Sequence, residues 1–255
     1  MRHITYKISK VLFLFCGLCL CTVENGTAQV VHGKADVWTS LITNYQINKK
    51  WSVGNELHFR MDNWLSEPEQ FLIRPSVSYK IKPKLKASLG YTYAHTFSYG
   101  DFALPAERPE HNVWEQISIG QKIGKVSLTH RYRLEQRFQS LLDPTEGKYT
   151  FNKINFANRF RYRLTVKIPL YKTLSLNAFD ELWVGASGDF KKIAFDRNWF
   201  YAGLGWQATG YMSLQLGYLH QYVQNNPDRF ERHHTVQLTL KFTFKNKEKA
   251  QEEAN

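Results

Sequence analysis

The chain has 255 residues, a formal net charge of +12, 43% hydrophobic and 15% aromatic residues, and three cysteines. That length suits one domain. Beyond the N-terminus no run approaches the roughly 18 apolar residues of a helical membrane span. The negative mean hydropathy does not exclude a membrane barrel, whose walls alternate and average polar.

The N-terminus reads as a secretory signal. Arg2, Lys7 and Lys10 form a positive region, Val11–Val23 is a 13-residue apolar core, and small residues at Gly26 and Ala28 place cleavage after Ala28. Such a core is too short to cross about 30 Å of hydrocarbon. Cys16, Cys19 and Cys21 raise a lipoprotein signal as an alternative. Phe15, Leu18 and Leu20, however, are large where that cleavage needs a small side chain. Removing residues 1–28 discards every cysteine, so no disulfide framework, metal site or cofactor is expected. It also removes Arg2, Lys7, Lys10 and Glu24, which leaves a net charge of +10. In an exported chain that excess points to anionic lipid or small anionic solutes, not to nucleic acid.

From Lys34 onward the sequence alternates. In "WSVGNELHFRMD" Trp51, Val53, Leu57, Phe59 and Met61 oppose Ser52, Gly54, Glu56, His58, Arg60 and Asp62. In "TVQLTLKFTF" Val236, Leu238, Leu240, Phe242 and Phe244 oppose Thr235, Gln237, Thr239, Lys241 and Thr243. Successive side chains of a strand point to opposite faces, so each segment has one oily and one wet face. Eleven segments read this way: 35–47, 51–62, 70–81, 85–97, 112–122, 125–138, 151–168, 173–184, 198–208, 211–224 and 232–244. Short connections near 48–50, 82–84, 124, 169–172 and 209–210 alternate with longer ones at 63–69, 98–111, 139–150, 185–197 and 225–231. Short turns at one end and long loops at the other are the pattern of an outer-membrane barrel.

The expected fold is therefore all-β: a transmembrane antiparallel up-and-down β-barrel over 29–244, with short periplasmic turns and longer extracellular loops. Bacterial barrels have even strand numbers and both termini on the short-turn side. Twelve strands are accordingly expected, with ten as the alternative. Trp38, Tyr45, Trp51, Tyr79, Tyr91, Tyr93, Phe138, Trp183, Tyr211 and Tyr222 fall toward segment ends, where interfacial girdles belong. The terminal "LKFTF" suits recognition by the barrel-assembly machinery, and 245–255 is a charged periplasmic tail.

The stretches "DVWTSLITNYQINKKWSVGNELHFRMD", "FLIRPSVSYKIKPKLKASLGYTY", "RYRLEQRF" and "NRFRYRL" resemble a family of Bacteroidota outer-membrane proteins catalogued as domain-of-unknown-function 2490. The resemblance spans about 35–244. It implies a β-barrel and brings no activity or catalytic residues with it.

The sharpest feature is the inner face. Arg131, Arg133, Glu135 and Arg137 share one parity, as do Arg159, Arg161 and Arg163; Glu56, Arg60, Arg74 and Glu181 are also inward. Such a wall either packs a small barrel shut as a structural charge network or attracts anions into a narrow pore. The packed reading leads. An outer-membrane lipid hydrolase or deacylase is the alternative in another class, with outward His95, His130 and His220 as candidates. His130 is the weak favourite, because an imidazole within the apolar band is costly. No serine accompanies it. Asp180 reads as a rim residue beside inward Glu181, with a cation site bridging lipopolysaccharide as the lesser reading. His233 and His234 point apart, so metal binding there is not expected. The "ASGDF" loop at 186–190 is too weak for a phosphate site, and no nucleotide, zinc-protease or nucleophile-elbow motif occurs. The expected setting is the outer membrane, among outer-membrane lipid and lipopolysaccharide.

Overall fold

Alternation dictates the architecture, because a strand with one apolar face and one polar face needs a different environment on each side. The computed structural model describes residues 31–100, 103–226 and 229–246. The expected signal peptide and all of the expected tail beyond Asn246 lie outside the described residues. Eleven strands form one closed barrel: β1 (Val31–Gln46), β2 (Trp51–Asp62), β3 (Glu67–Lys82), β4 (Leu85–Thr96), β5 (Arg108–Ile123), β6 (Val126–Asp143), β7 (Lys148–Tyr171), β8 (Leu174–Ser187), β9 (Ile193–Gln207), β10 (Met212–Asn226) and β11 (Arg229–Lys245). Each strand is antiparallel to the next in the chain. The seam is the exception: β1 runs parallel to β11, from Val31 opposite Phe230 to Gln46 opposite Lys245.

The expected twelve strands, and the alternative of ten, are thus corrected to eleven. An odd sheet closes only if its first and last strands run the same way. Parallel ladders are slightly weaker per residue, but closure leaves no free edge. As a result β1 begins at the end of the barrel opposite the one where β11 finishes. The long loops are corrected as well. Residues 63–69, 139–150 and 185–197 contract to connections at 63–66, 144–147 and 188–192, and only 97–107 remains long. Polar composition masks strand wherever both faces of it are wet and the alternation fades.

Two of the expected girdle tryptophans are in the interior instead. Trp38 and Trp183 join Phe179, Trp199, Tyr201 and Leu219 in the buried core, inside the barrel. Trp38 shares its parity with buried Asp36 and Ser40, and Trp183 shares its parity with Glu181. Interior glycines make room for such rings. A Cβ on Gly90 would sit 2.1 Å from the ring of Trp114, its partner across β4–β5. Likewise Tyr201 lies over the facing pair Gly203 and Gly217.

Candidate functional site in the barrel interior

The register of β5 to β8 assembles the charged wall. Arg131 faces Arg163, Arg133 faces Arg161, and Glu135 faces Arg159 across β6–β7, while Arg163 faces Glu181 across β7–β8. Cross-strand like charges are destabilising unless a counter-charge reaches between them. Two glutamates do so. Glu135 accepts from Arg159 Nε at 2.8 Å and Nη2 at 2.5 Å, and from Arg161 Nη1 at 2.6 Å. Glu181 accepts from Arg161 Nε at 2.9 Å, from Arg163 Nε at 2.8 Å, and from Arg131. Arg133 donates to Gln116 at 2.8 and 3.0 Å and stands 3.6 Å from Glu135. Charge-assisted, partly bidentate bonds of this kind are the strong class of hydrogen bond. Nearer the end opposite the short turns, where β6 and β7 rise furthest (the tall end), Arg137 makes a separate two-pronged pair with Glu110 at 2.8 Å.

Aromatic rings close the remaining cross-section. The guanidinium of Arg161 lies 3.4 Å over Trp183, Arg133 lies 3.9 Å over Trp114, Arg163 lies 3.9 Å over Phe179, and Arg60 lies 3.9 Å over Trp38. Trp183 meets Trp199 at 4.5 Å, and Trp199 meets Trp38 at 5.3 Å, so indoles bridge from β8 through β9 to β1. Opposite, Glu56 stands 3.7 Å from Arg74 and 3.1 Å from His58, and Arg60 donates to Gln70 at 2.7 Å. Arg161 is 1% exposed, Trp183 2% and Glu181 0%, so these side chains are packed against one another at the waist of the barrel. All eleven inward charges expected from parity, Glu56, Arg60, Arg74, Arg131, Arg133, Glu135, Arg137, Arg159, Arg161, Arg163 and Glu181, line this interior. Parity alone did not find the tryptophans, or Glu110 and Gln116, which complete the network.

The tall end holds a second buried group. His233 bonds Asp36 at 2.8 Å and Glu231 at 3.2 Å, and Trp38 Nε1 donates to Glu69 at 2.7 Å. His234, its neighbour, faces outward and bonds Tyr218 at 2.5 Å. Among the described residues no group of three or more His, Cys, Asp or Glu side chains is arranged to hold a metal ion.

The outward candidates are scattered. His130 bonds the Tyr162 hydroxyl at 2.9 Å and stacks on that ring, and no carboxylate or serine bonds it among the described residues. His95 bonds Glu107 at 2.8 Å, near the long connection. His220 packs edge-on against His234 at 5.7 Å. Outward Asp180 accepts from Asn198 at 3.2 Å. Ser187 and Asp189 of the 186–190 loop bond each other at 2.5 Å. None of these sets joins a histidine to a serine or cysteine.

A single closed sheet with an inward ion network and an outward apolar wall defines an eleven-stranded β-barrel. The profile described as "Protein of unknown function (DUF2490)" matches residues 35–232, and the chain belongs to that family. The Bacteroidota setting is not part of that match. An uncharacterized protein of Methylorubrum extorquens is 28% identical over 201 residues, covering 74% of this chain and 81% of its own. Among solved structures, the NanC porin is similar at a TM-score of 0.43 and 11% identity, over 77% of this chain and 90% of that one.

Proposed function

We propose that the protein is an outer-membrane β-barrel, exported with cleavage near Ala28 and closed at its waist, whose role is structural and not catalytic. Among the described residues 34 large apolar side chains are exposed against 11 buried hydrophobic ones, which inverts the distribution of a soluble fold. An aqueous monomer rarely exposes contiguous apolar patches of more than a few hundred Å². Hydrocarbon outside the barrel accounts for that surface, and a ring without edges meets the demand that every backbone group in lipid be bonded. In this reading the outer face contacts outer-membrane lipid and lipopolysaccharide, and the barrel-assembly machinery takes up the "LKFTF" end of β11.

One observation carries the closed reading: the complete burial of Arg161 and Glu181 at mid-barrel. Planar-bilayer recording tests it, with no steady conductance expected from the unmodified protein. A narrow anion-selective pore is the second reading. It is favoured by the charge imbalance at the waist, where Arg131, Arg133, Arg159, Arg161 and Arg163 share Glu135 and Glu181. A steady anion current that Arg161→Ala with Arg133→Ala abolishes would establish the pore and end the closed reading.

A further inference from the structure

Charge is segregated along the barrel axis. The six segments at the short-turn end, 44–52, 80–86, 120–127, 167–175, 205–213 and 241–246, carry twelve lysines and no Asp, Glu or Arg. No described residue forms an ion pair with any of the twelve. Part of this end encloses a cavity of about 440 Å³ between β11, β1, β2, β3, β4 and β5. Lys50, Lys80, Lys84, Lys86 and Lys241 line it, with Asn44, Ser52, Ser118 and Thr243 as neutral hydrogen-bonding groups. Lys80 stands directly opposite Lys86 on the inward face, an arrangement that repels in the absence of an anion. The carboxylate within electrostatic reach of both Lys86 and Lys241 is Glu56, which is already committed to His58 and Arg74.

The cavity is blind. Ser118 on its wall is in register with Arg131, and Arg131 with Arg163, so the closed waist forms its floor. Its volume falls in the usual range of ligand pockets, roughly 300–1,000 Å³. Its chemistry is narrower than that of a general anion site. Arginine offers a planar fork that fits carboxylate and phosphate alike, whereas lysine acts as a compact, mobile point charge that responds to charge more than to shape. Several ammonium groups converging without a guanidinium select for charge density. We propose that this cup is a binding site for phosphate-bearing anions, either a soluble phosphorylated solute or the phosphate of a lipid headgroup at the membrane face. The inference rests on the closed waist proposed above. Conductance and binding are separate readouts, so the two can fail independently.

The chain itself supplies one competitor. Asn246 N donates to the carbonyl of Gln46, on the cup wall, at 3.2 Å, and the sequence continues from there with Glu248, Glu252 and Glu253. The test is calorimetric titration of the full chain in a neutral maltoside detergent at low salt, with pyrophosphate as the probe. Saturable binding is expected. Lys86→Gln with Lys241→Gln should weaken it by roughly tenfold or more, and Lys125→Gln with Lys172→Gln, the same charge removed outside the cup, by less than about twofold. Pyrophosphate should also raise the melting temperature of the unmodified barrel and not that of the cup variant, whose fold is relieved of repulsion. Repetition in nanodiscs with and without phosphatidylglycerol assigns the source: competition by that lipid identifies a headgroup site, and its absence a soluble ligand. No saturable binding, equal loss from both lysine pairs, or binding seen only in a chain ended at Asn246 would each overturn the proposal, the last because the tail would then be the occupant.

Discussion

Asp180 and Glu181 are chain neighbours with opposite fates. Glu181 is fully buried and anchors three guanidinium groups, while Asp180 faces outward and takes one bond from Asn198. Removing one partner from a buried ion network leaves uncompensated charge, which typically costs about 3–5 kcal/mol. Glu181→Gln should therefore destabilise the barrel by that order in urea unfolding from lipid vesicles. Asp180→Asn should leave the barrel as stable or make it more stable, since an outward carboxylate at the height of Glu181 is costly in the apolar band proposed here. Similar losses from both would show that the inward and outward faces have been exchanged. At this scale parity was enough to read the arginines and glutamates of the inner face. It was also sufficient for Trp183, which has the parity of Glu181, yet an aromatic near a strand end suggests a girdle just as strongly. What decided its place was Arg161 stacked upon it, a contact between strands that no single segment displays.

Single elements were legible wherever one face is apolar. The eleven segments read from alternation correspond to the eleven strands, which run further at the end away from the short turns, β5 from Arg108, β6 to Asp143 and β9 from Ile193. The even count general to bacterial barrels does not hold here, where the periodicity itself displays eleven segments. The seam is where this can be checked. Val37 lies opposite Val236 across β1 and β11, both on the outward face. In a chain without Cys16, Cys19 and Cys21, Val37→Cys and Val236→Cys should join efficiently through a short bifunctional thiol reagent. A twelfth strand between them would hold the two thiols about 10 Å apart, from strand spacings of 4.7–4.9 Å, and the shortest reagents would fail.

For the whole molecule, the two ends differ in charge as well as in height. The short-turn end is purely cationic, whereas the tall end mixes buried acids such as Asp36 and Glu69 with Arg137 and Arg197. Inner-leaflet phospholipid carries negative charge, and each lysine near such a surface contributes about 1 kcal/mol of attraction. Lipopolysaccharide is anionic too, so the orientation in the proposed setting follows from the general habit of outer-membrane barrels, with short turns facing the periplasm. A peptide tag inserted before Val31 should then be labelled by antibody on intact cells, and one placed after Asn246 only after the envelope is permeabilised. Surface labelling of the second tag alone would mean that the barrel is inserted the other way up.

The parallel seam gives the polypeptide a heading. A hairpin array with an even count returns to the side it left, so both extremities share one compartment and one set of neighbours. Here the backbone enters the barrel at one end and leaves it at the other: in the proposed outer-membrane setting, whatever is fused ahead of Val31 would stand outside the cell, and whatever follows Asn246 would stay within reach of the cell wall. In that setting assembly would have to carry the leading end of the chain through the bilayer, a passage that an even-numbered barrel does not require.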